Sequence, residues 1–234
     1  MKNRSIAIIT ARGGSKRIPR KNNREFCGKP ILAYSIEAAQ NAGVFDEIMV
    51  STDDEEIAKT AKQYGASIPF FRSKENAGDY AVTADVVKEV LTEYKRLGQQ
   101  FEFACCIYPT APFLTGEKLR KAMEELTESD LDSVMPVTAF SFPPQRGMYI
   151  RGGQLIFCYP ENDLKRSQDL ETMYHDCGQF YCVRTPSFLQ TGKLVMEKTG
   201  AVILPESEVQ DIDNLEDWKI AEMKYRFLKG EFKQ

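Results

Sequence analysis

Residues 5–22 read Ser5-Ile6-Ala7-Ile8-Ile9-Thr10-Ala11-Arg12-Gly13-Gly14-Ser15-Lys16-Arg17-Ile18-Pro19-Arg20-Lys21-Asn22. The apolar run at 6–9 predicts a buried strand. The loop that follows gathers Arg12, Lys16, Arg17, Arg20 and Lys21 around a glycine pair. Glycine lets a backbone approach a ligand closely, and N–H groups and cations converging after a parallel strand suit a polyphosphate. The spacing matches neither G-x-G-x-x-G nor G-x-x-x-x-G-K-[ST], so neither the Rossmann nor the Walker loop accounts for it. A solvated basic loop is the competing reading. The phosphate reading is preferred because the loop sits at the carboxyl end of a first strand, where open α/β sheets bind ligands.

Outward from that loop, strand and helix alternate. Pro30 opens a helix that Gly43 ends, with proline inside the start and glycine past the finish. Residues 47–52 read as a strand, and Thr52 or Asp53 caps a helix that Gly65 ends. Residues 68–71 read as a third strand, with Pro69 marking an edge position. Thr83 caps the next helix, whose stripe is Val86, Val87, Val90, Leu91 and Tyr94. Residues 103–107 are nearly all apolar, as a central parallel strand should be. A further helix (Leu119, Ala122, Met123, Leu126) and a strand at 133–137 follow. The pattern then changes: a hairpin turns at Gly152-Gly153, residues 160–177 are polar and irregular, and a strand runs over 179–183. Residues 201–204 read as a buried strand. A final helix after Asp213 or Asn214 turns Leu215, Trp218, Ala221 and Tyr225 inward. The chain is expected to be one α/β domain over 1–234, with a mostly parallel sheet and an antiparallel excursion at about 140–185.

At 234 residues and 42% hydrophobic, the chain can bury one sizeable core. A net charge of −3 makes the basic loop a local feature and argues against nucleic acid as partner. No apolar run approaches the ~20 residues that span a bilayer. Met1-Lys2-Asn3-Arg4-Ser5 lacks a signal-peptide apolar region, so a cytoplasmic protein is expected. Of the six cysteines, Cys105 and Cys106 are adjacent in a strand and face opposite sides. Cys27, Cys158, Cys177 and Cys182 form no C-x-x-C pair, and there is a single histidine, so reduced structural thiols are expected.

The segment from Ala11 to Asn22, continued by Phe26-Cys27-Gly28-Lys29-Pro30-Ile31, resembles the signature of the CMP-sugar synthetases that activate sialic acids. Val50-Ser51-Thr52-Asp53-Asp54, Tyr108-Pro109-Thr110-Ala111-Pro112 and Gln210-Asp211-Ile212-Asp213 extend the resemblance over nearly the whole chain. Tyr34-Ser35-Ile36, the Tyr108-Pro109-Thr110-Ala111-Pro112 block and Tyr174-His175-Asp176-Cys177-Gly178-Gln179-Phe180-Tyr181 are most similar to the pseudaminic acid cytidylyltransferase branch. The resemblance implies a three-layer, Rossmann-like sheet of the nucleotide-diphospho-sugar-transferase type, with the excursion serving dimerisation. It also implies an enzyme joining CTP to a nine-carbon 2-keto sugar acid, giving a CMP-sugar and pyrophosphate. Pseudaminic acid is the expected substrate; N-acetylneuraminic and legionaminic acids are the alternatives, and a nucleotide-binding regulatory module is the non-enzyme alternative. Tyr108 stands where the sialic acid branch has glutamine, and no acidic residue ends this strand as in the relatives acting on Kdo.

Nucleotidyl transfer requires neutralised phosphates, a bridging metal and an aligned acceptor hydroxyl. Arg12, Lys16 and Lys21, with the backbone of Gly13, Gly14 and Ser15, are candidates for the phosphates. Arg17 and Arg20 are either further phosphate cations or solvent-facing ones. The resemblance places Arg12 and Lys21 on nucleotide-phosphate positions, Asn22 on a base or ribose contact, and Arg72 and Thr83 on cytosine and ribose contacts. In extended chain Asp211 and Asp213 face one way while Ile212 faces the other, so the pair can hold Mg²⁺. Asp213 is alternatively the cap of the final helix. Lys21, Arg12 and Asp211 are the candidate catalytic residues. Asp53 and Asp54 read as an ordinary helix N-terminus. The sole histidine, His175, together with Tyr108, Gln179 and Tyr181, is expected at the sugar.

Overall fold

Ile6 and Ile8 on one face of the first strand and Ala7 and Ile9 on the other are all apolar, so that strand needs a neighbour on each edge and a helical layer on each side. The computed structural model supplies both and describes residues 4–78 and 81–231. The expectation for Met1-Lys2-Asn3 lies outside the described residues. In chain order the elements are β1 (Ser5–Thr10), the two-residue strands β2 (Glu25–Phe26) and β3 (Lys29–Pro30), α1 (Ile31–Ala42), β4 (Glu47–Ser51), α2 (Glu55–Gln63), α3 (Thr83–Arg96), β5 (Phe103–Ile107) and α4 (Gly116–Glu128). There follow β6 (Ser133–Ala139), β7 (Met148–Arg151), β8 (Gln154–Phe157), β9 (Tyr174–Asp176), β10 (Phe180–Arg184), α5 (Thr185–Thr191), β11 (Thr199–Ile203) and α6 (Leu215–Leu228).

The seven-stranded sheet has the order β11-β6-β10-β5-β1-β4, with β9 also on β6. β1 pairs in parallel with β4 and β5, and β11 in parallel with β6. β10 runs antiparallel between β5 and β6, setting Tyr181 opposite Cys106 and Cys182 opposite Val134. On one face Ala7, Ile9, Cys105 and Ile107 pack under α1, α2 and α4. On the other, Ile6, Ile8, Ala104 and Cys106 pack under α3 and α5. The two adjacent cysteines therefore point to opposite faces, and all six thiols are free. A third apolar cluster joins Ile18, Phe26, Ile31, Tyr34, Phe113 and Ile212 to Trp218 and Ala221 of α6.

Several local expectations are corrected. Residues 68–71 are not a strand; Ser67 makes an isolated parallel bridge to Met49, and the chain turns away at Pro69. β11 is an edge strand with only Val202 buried, because no strand covers its outer side. Asp54 caps α2, accepting hydrogen bonds from Glu56 N and Ile57 N, while Asp53 turns elsewhere. Val82 is the cap position of α3, and the Thr83 side chain makes no capping bond. Asn214, in a reciprocal arrangement with Asp217, caps α6, which leaves Asp213 free of that task. Leu215 is largely exposed. The hairpin β7–β8 forms as expected, but as a separate two-stranded sheet with nearly every residue exposed.

Gly116 begins α4 against the last turn of α1. A Cβ there would lie 2.5 Å from the Asn41 carbonyl carbon and 2.6 Å from Ala42 N. Arg120, one turn on, donates to the Ala42 and Asn41 carbonyls, both at 3.1 Å, so this approach also satisfies the end of α1. Gly116→Ala is expected to lower stability by about 1–3 kcal/mol, read as a fall in the urea midpoint. An unchanged midpoint would show that the two helices can part without cost.

Candidate active site

The loop after β1 is held from below. Ala11 N donates to Ser51 O at 3.0 Å, and Gly13 N donates to Asp53 Oδ1 at 2.9 Å. Asp53 thus anchors the glycine loop rather than capping a helix, a role that its place in a helix N-terminus sequence concealed. Gly13 is obligatory because a Cβ would lie 2.8 Å from Asp54 Oδ2 and 2.9 Å from Asp54 Cβ. At Gly14 a Cβ would meet nothing within 4 Å, so that residue faces open space.

Beside the loop lies a cleft of about 470 Å³. Of the residues expected at a nucleotide, Arg12, Ser15, Lys16, Lys21, Asn22, Arg72 and Thr83 line it, joined by Arg17, Tyr108 and Asp213. Gly13 and Gly14 shape the loop between Arg12 and Ser15. Arg17 grips Asp213 through two contacts of 2.7 Å. Lys21 Nζ donates to Ile212 O at 2.7 Å. Burial pushes the Lys21 ammonium pKa down, against the opposing pull of Asp213 and Asp211. Arg20 leaves the cleft and pairs with Glu56 on α2. Asn22 is buried, donates to Arg12 O at 2.9 Å, and its Oδ1 has no partner. Arg72 is buried too, its guanidinium fixed on Ser51 Oγ at 3.0 Å and Ser51 O at 2.6 Å, and desolvation lowers its pKa. Both side chains are preorganised, with donor or acceptor capacity left for a ligand.

A second cleft, of about 480 Å³, adjoins the first at Tyr108. Its walls include Thr138, His175, Asp176, Glu206, Gln210, Asp211 and Lys224. Tyr108 and His175 therefore stand where a sugar site was expected. Gln179 and Tyr181 do not line it; they lie in the layer beneath. Gln179 is 2% exposed and donates to Glu208 O at 2.8 Å. Tyr181 is buried edge-on against Tyr108, with ring centroids 5.7 Å apart, and donates to Asp176 Oδ2. The sequence suggested that they alternate on one strand face and meet the sugar, but Tyr181 packs into the second apolar cluster and Gln179 is taken up by the Glu208 carbonyl. Asp176, Glu206 and Lys224 were missed. Asp176 had a signal in its place beside His175, whereas Glu206 and Lys224 look like ordinary surface charges.

Between the clefts runs Asp211-Ile212-Asp213. Ile212 is 1% exposed in the third apolar cluster, while Asp211 lines one cleft and Asp213 the other. Burial and the neighbouring Asp213 charge raise the Asp211 carboxyl pKa. Two like charges held close are what a hard dication relieves, and both donors are carboxylate oxygens suited to Mg²⁺. Among the described residues no group of three or more His, Cys, Asp or Glu side chains forms a closed metal site. The pair fits an ion that completes its shell with phosphate oxygens and water.

The cytidylyltransferase family model matches residues 6–185. The chain is 40% identical to pseudaminic acid cytidylyltransferase of Campylobacter jejuni over 95% of this chain and 97% of that one. It is 34% identical to CMP-N,N'-diacetyllegionaminic acid synthase of Legionella pneumophila, over 94% and 95% of the two chains. The solved CMP:2-keto-3-deoxy-manno-octonic acid synthetase complexed with CTP aligns at a TM-score of 0.71 and 14% identity, covering 98% of this chain and 100% of that one, and shows the shared fold. Among the described residues no helix is long and apolar enough to cross a membrane.

The two glycines separate folding from binding. Gly14→Ala, with open space for its methyl group, should leave the melting temperature unchanged yet weaken CTP binding at least tenfold by calorimetry. Gly13→Ala should lower the melting temperature as well. Undiminished CTP affinity in Gly14→Ala would remove that residue from the nucleotide site.

Proposed function

The chain belongs to the cytidylyltransferase family, and on that premise we propose that it activates a nine-carbon 2-keto sugar acid, pseudaminic acid, with CTP. The observation that carries this reading is the pair of clefts meeting at Tyr108, one rich in cations and the other polar, with Asp213 on the first and Asp211 on the second. CTP occupies the first, its triphosphate among Arg12, Lys16, Lys21 and the 13–15 backbone. Its base and ribose lie toward Asn22, Arg72 and Thr83. The sugar acid occupies the second. Its anomeric oxygen attacks the α-phosphorus and forms the new P–O bond. The bond to the β-phosphate oxygen breaks, pyrophosphate leaves, and the hydroxyl proton passes to a carboxylate or water at the junction. Asp211 and Asp213 would hold Mg²⁺, which supplies neutralising charge to the phosphates when bound. Lys21 and Arg12 stabilise charge on the transferring and leaving phosphates, and Arg17, released from Asp213, is placed to do the same.

Pseudaminic acid is favoured over N-acetylneuraminic acid by Tyr108 and by the relative that shares 40% of the sequence. A pyrophosphate-release assay with CTP and these acids tests the reading, with pseudaminic acid expected to give the highest kcat/KM. CTP should outperform UTP by about a hundredfold, because groups set to pair with an exocyclic amine are left unpaired by a carbonyl. Lys21→Ala should lower turnover by about two orders of magnitude without unfolding the chain. Equal use of UTP, or near-normal turnover in Lys21→Ala, would overturn the assignment of this cleft.

The same reading includes a two-fold homodimer built on the excursion. In β7–β8 Ile150 is 77% and Leu155 69% exposed, and Tyr149 and Ile156 are exposed beside them. An isolated hairpin is marginal in water, and a contiguous apolar patch of this kind is unusual on a monomer. Light scattering should give twice the 26.6 kDa chain mass at micromolar concentration. A single-chain mass with full activity would refute the dimer.

A further inference from the structure

The second cleft has a charge problem. Any sugar acid enters it as an anion, yet Asp176, Glu206 and Asp211 line it with carboxylates. Lys224 is the sole lysine or arginine among its lining residues. Its ammonium donates to Val209 O at 2.8 Å and to Glu206 O at 3.3 Å, which fixes its direction and leaves one of its three hydrogens for a ligand. The side chain rises from α6, whose Trp218 and Ala221 are buried in the third apolar cluster, so its base is rigid. We propose that Lys224 is the carboxylate-recognising residue of the sugar site, and so determines that the acceptor is a sugar acid rather than a neutral sugar. This rests on the reading that the second cleft takes the sugar. A charge-assisted bond in a partly enclosed cleft selects for the anion, and its loss leaves Asp176 and Glu206, the two carboxylates not assigned to the metal, without an offset.

Lys224 also steadies the loop that leads to Asp211 and Asp213, so the test must separate charge from scaffolding. Lys224→Gln keeps a donor for the two carbonyls and deletes the charge; Lys224→Arg keeps the charge. With CTP and pseudaminic acid as the probes, Lys224→Gln should raise the sugar-acid KM at least tenfold and leave the CTP KM within twofold. Lys224→Arg should stay within about threefold of wild type for both. A scaffolding role would shift the CTP KM as well, since the disturbed loop carries Asp213 in the nucleotide cleft. An unchanged sugar-acid KM in Lys224→Gln, a parallel rise in both constants, or failure of arginine to restore activity would each overturn the proposal. Wild-type protein that binds CTP but converts none of the pseudaminic, legionaminic or N-acetylneuraminic acids would instead overturn the functional reading on which it rests.

Discussion

Arg17 and Lys21 of the first βα loop close onto Asp213 and the Ile212 carbonyl, at sequence separations of 196 and 191 residues. This closure makes the cleft, and its polar and apolar parts contribute unequally. The Arg17–Asp213 pair is well exposed, and pairs of that kind contribute about 0–1 kcal/mol. The geometry is held instead by Ile18 and Ile212, both buried beside Trp218 in one apolar cluster. Burying each such side chain is worth about 1.5–3 kcal/mol. The loop and the acidic segment are therefore positioned by their apolar residues, while their charges stay available for exchange. A phosphate can take Arg17 from Asp213 without dismantling the fold.

The sheet brings the remaining parts to the same end. β1, β5 and β6 all point their carboxyl ends at the clefts, as expected for ligand sites in open α/β sheets. β10 enters between β5 and β6 from the opposite direction, so its beginning, rather than its end, lies at the site. Gly178, at φ 60°, bends the chain between β9 and β10, and Gly178 N donates to Asp176 Oδ1 at 2.7 Å. That bend lets one antiparallel passage along β6 supply both the rim, at His175 and Asp176, and the buried layer beneath it, at Gln179 and Tyr181.

The loop at 11–22, the buried strands and the alternating Asp211-Ile212-Asp213 were legible because each rests on a local rule of spacing or polarity. The misreadings share a different cause. Residues 68–71 are apolar enough for a strand, but pairing depends on whether an edge of the sheet is offered, and there only Ser67 reaches β4. Asp53 and Asp54 are equivalent as sequence; which one caps α2 is decided by the glycine loop, which takes Asp53 for Gly13 N. Gln179 and Tyr181 have the polarity of ligand contacts, yet both are buried and they act on Glu208 and Asp176 instead. Lys224 carried no signal at all, since a helix lysine acquires meaning only from the cleft it borders.

Tyr108 shows why the partition between the clefts can be rigid. Its backbone N–H donates to Gln179 O at 2.9 Å, and its carbonyl accepts from Ser35 Oγ at 2.8 Å. Its hydroxyl lies 3.3 Å from Thr83 Oγ1, on the side of the first cleft, and its ring meets Tyr181, which is bonded in turn to Asp176 on the side of the second. Burial raises the pKa of both phenols, so both keep their protons, and Tyr181 donates its proton to the Asp176 carboxylate. The two phenols themselves add no charge to either cleft. Since backbone, hydroxyl and ring are each fixed by a different element, the separation of the two clefts is set by the fold before either reactant arrives. Positioning of that kind lowers the barrier by removing the orientational freedom that the reactants would otherwise lose in the transition state.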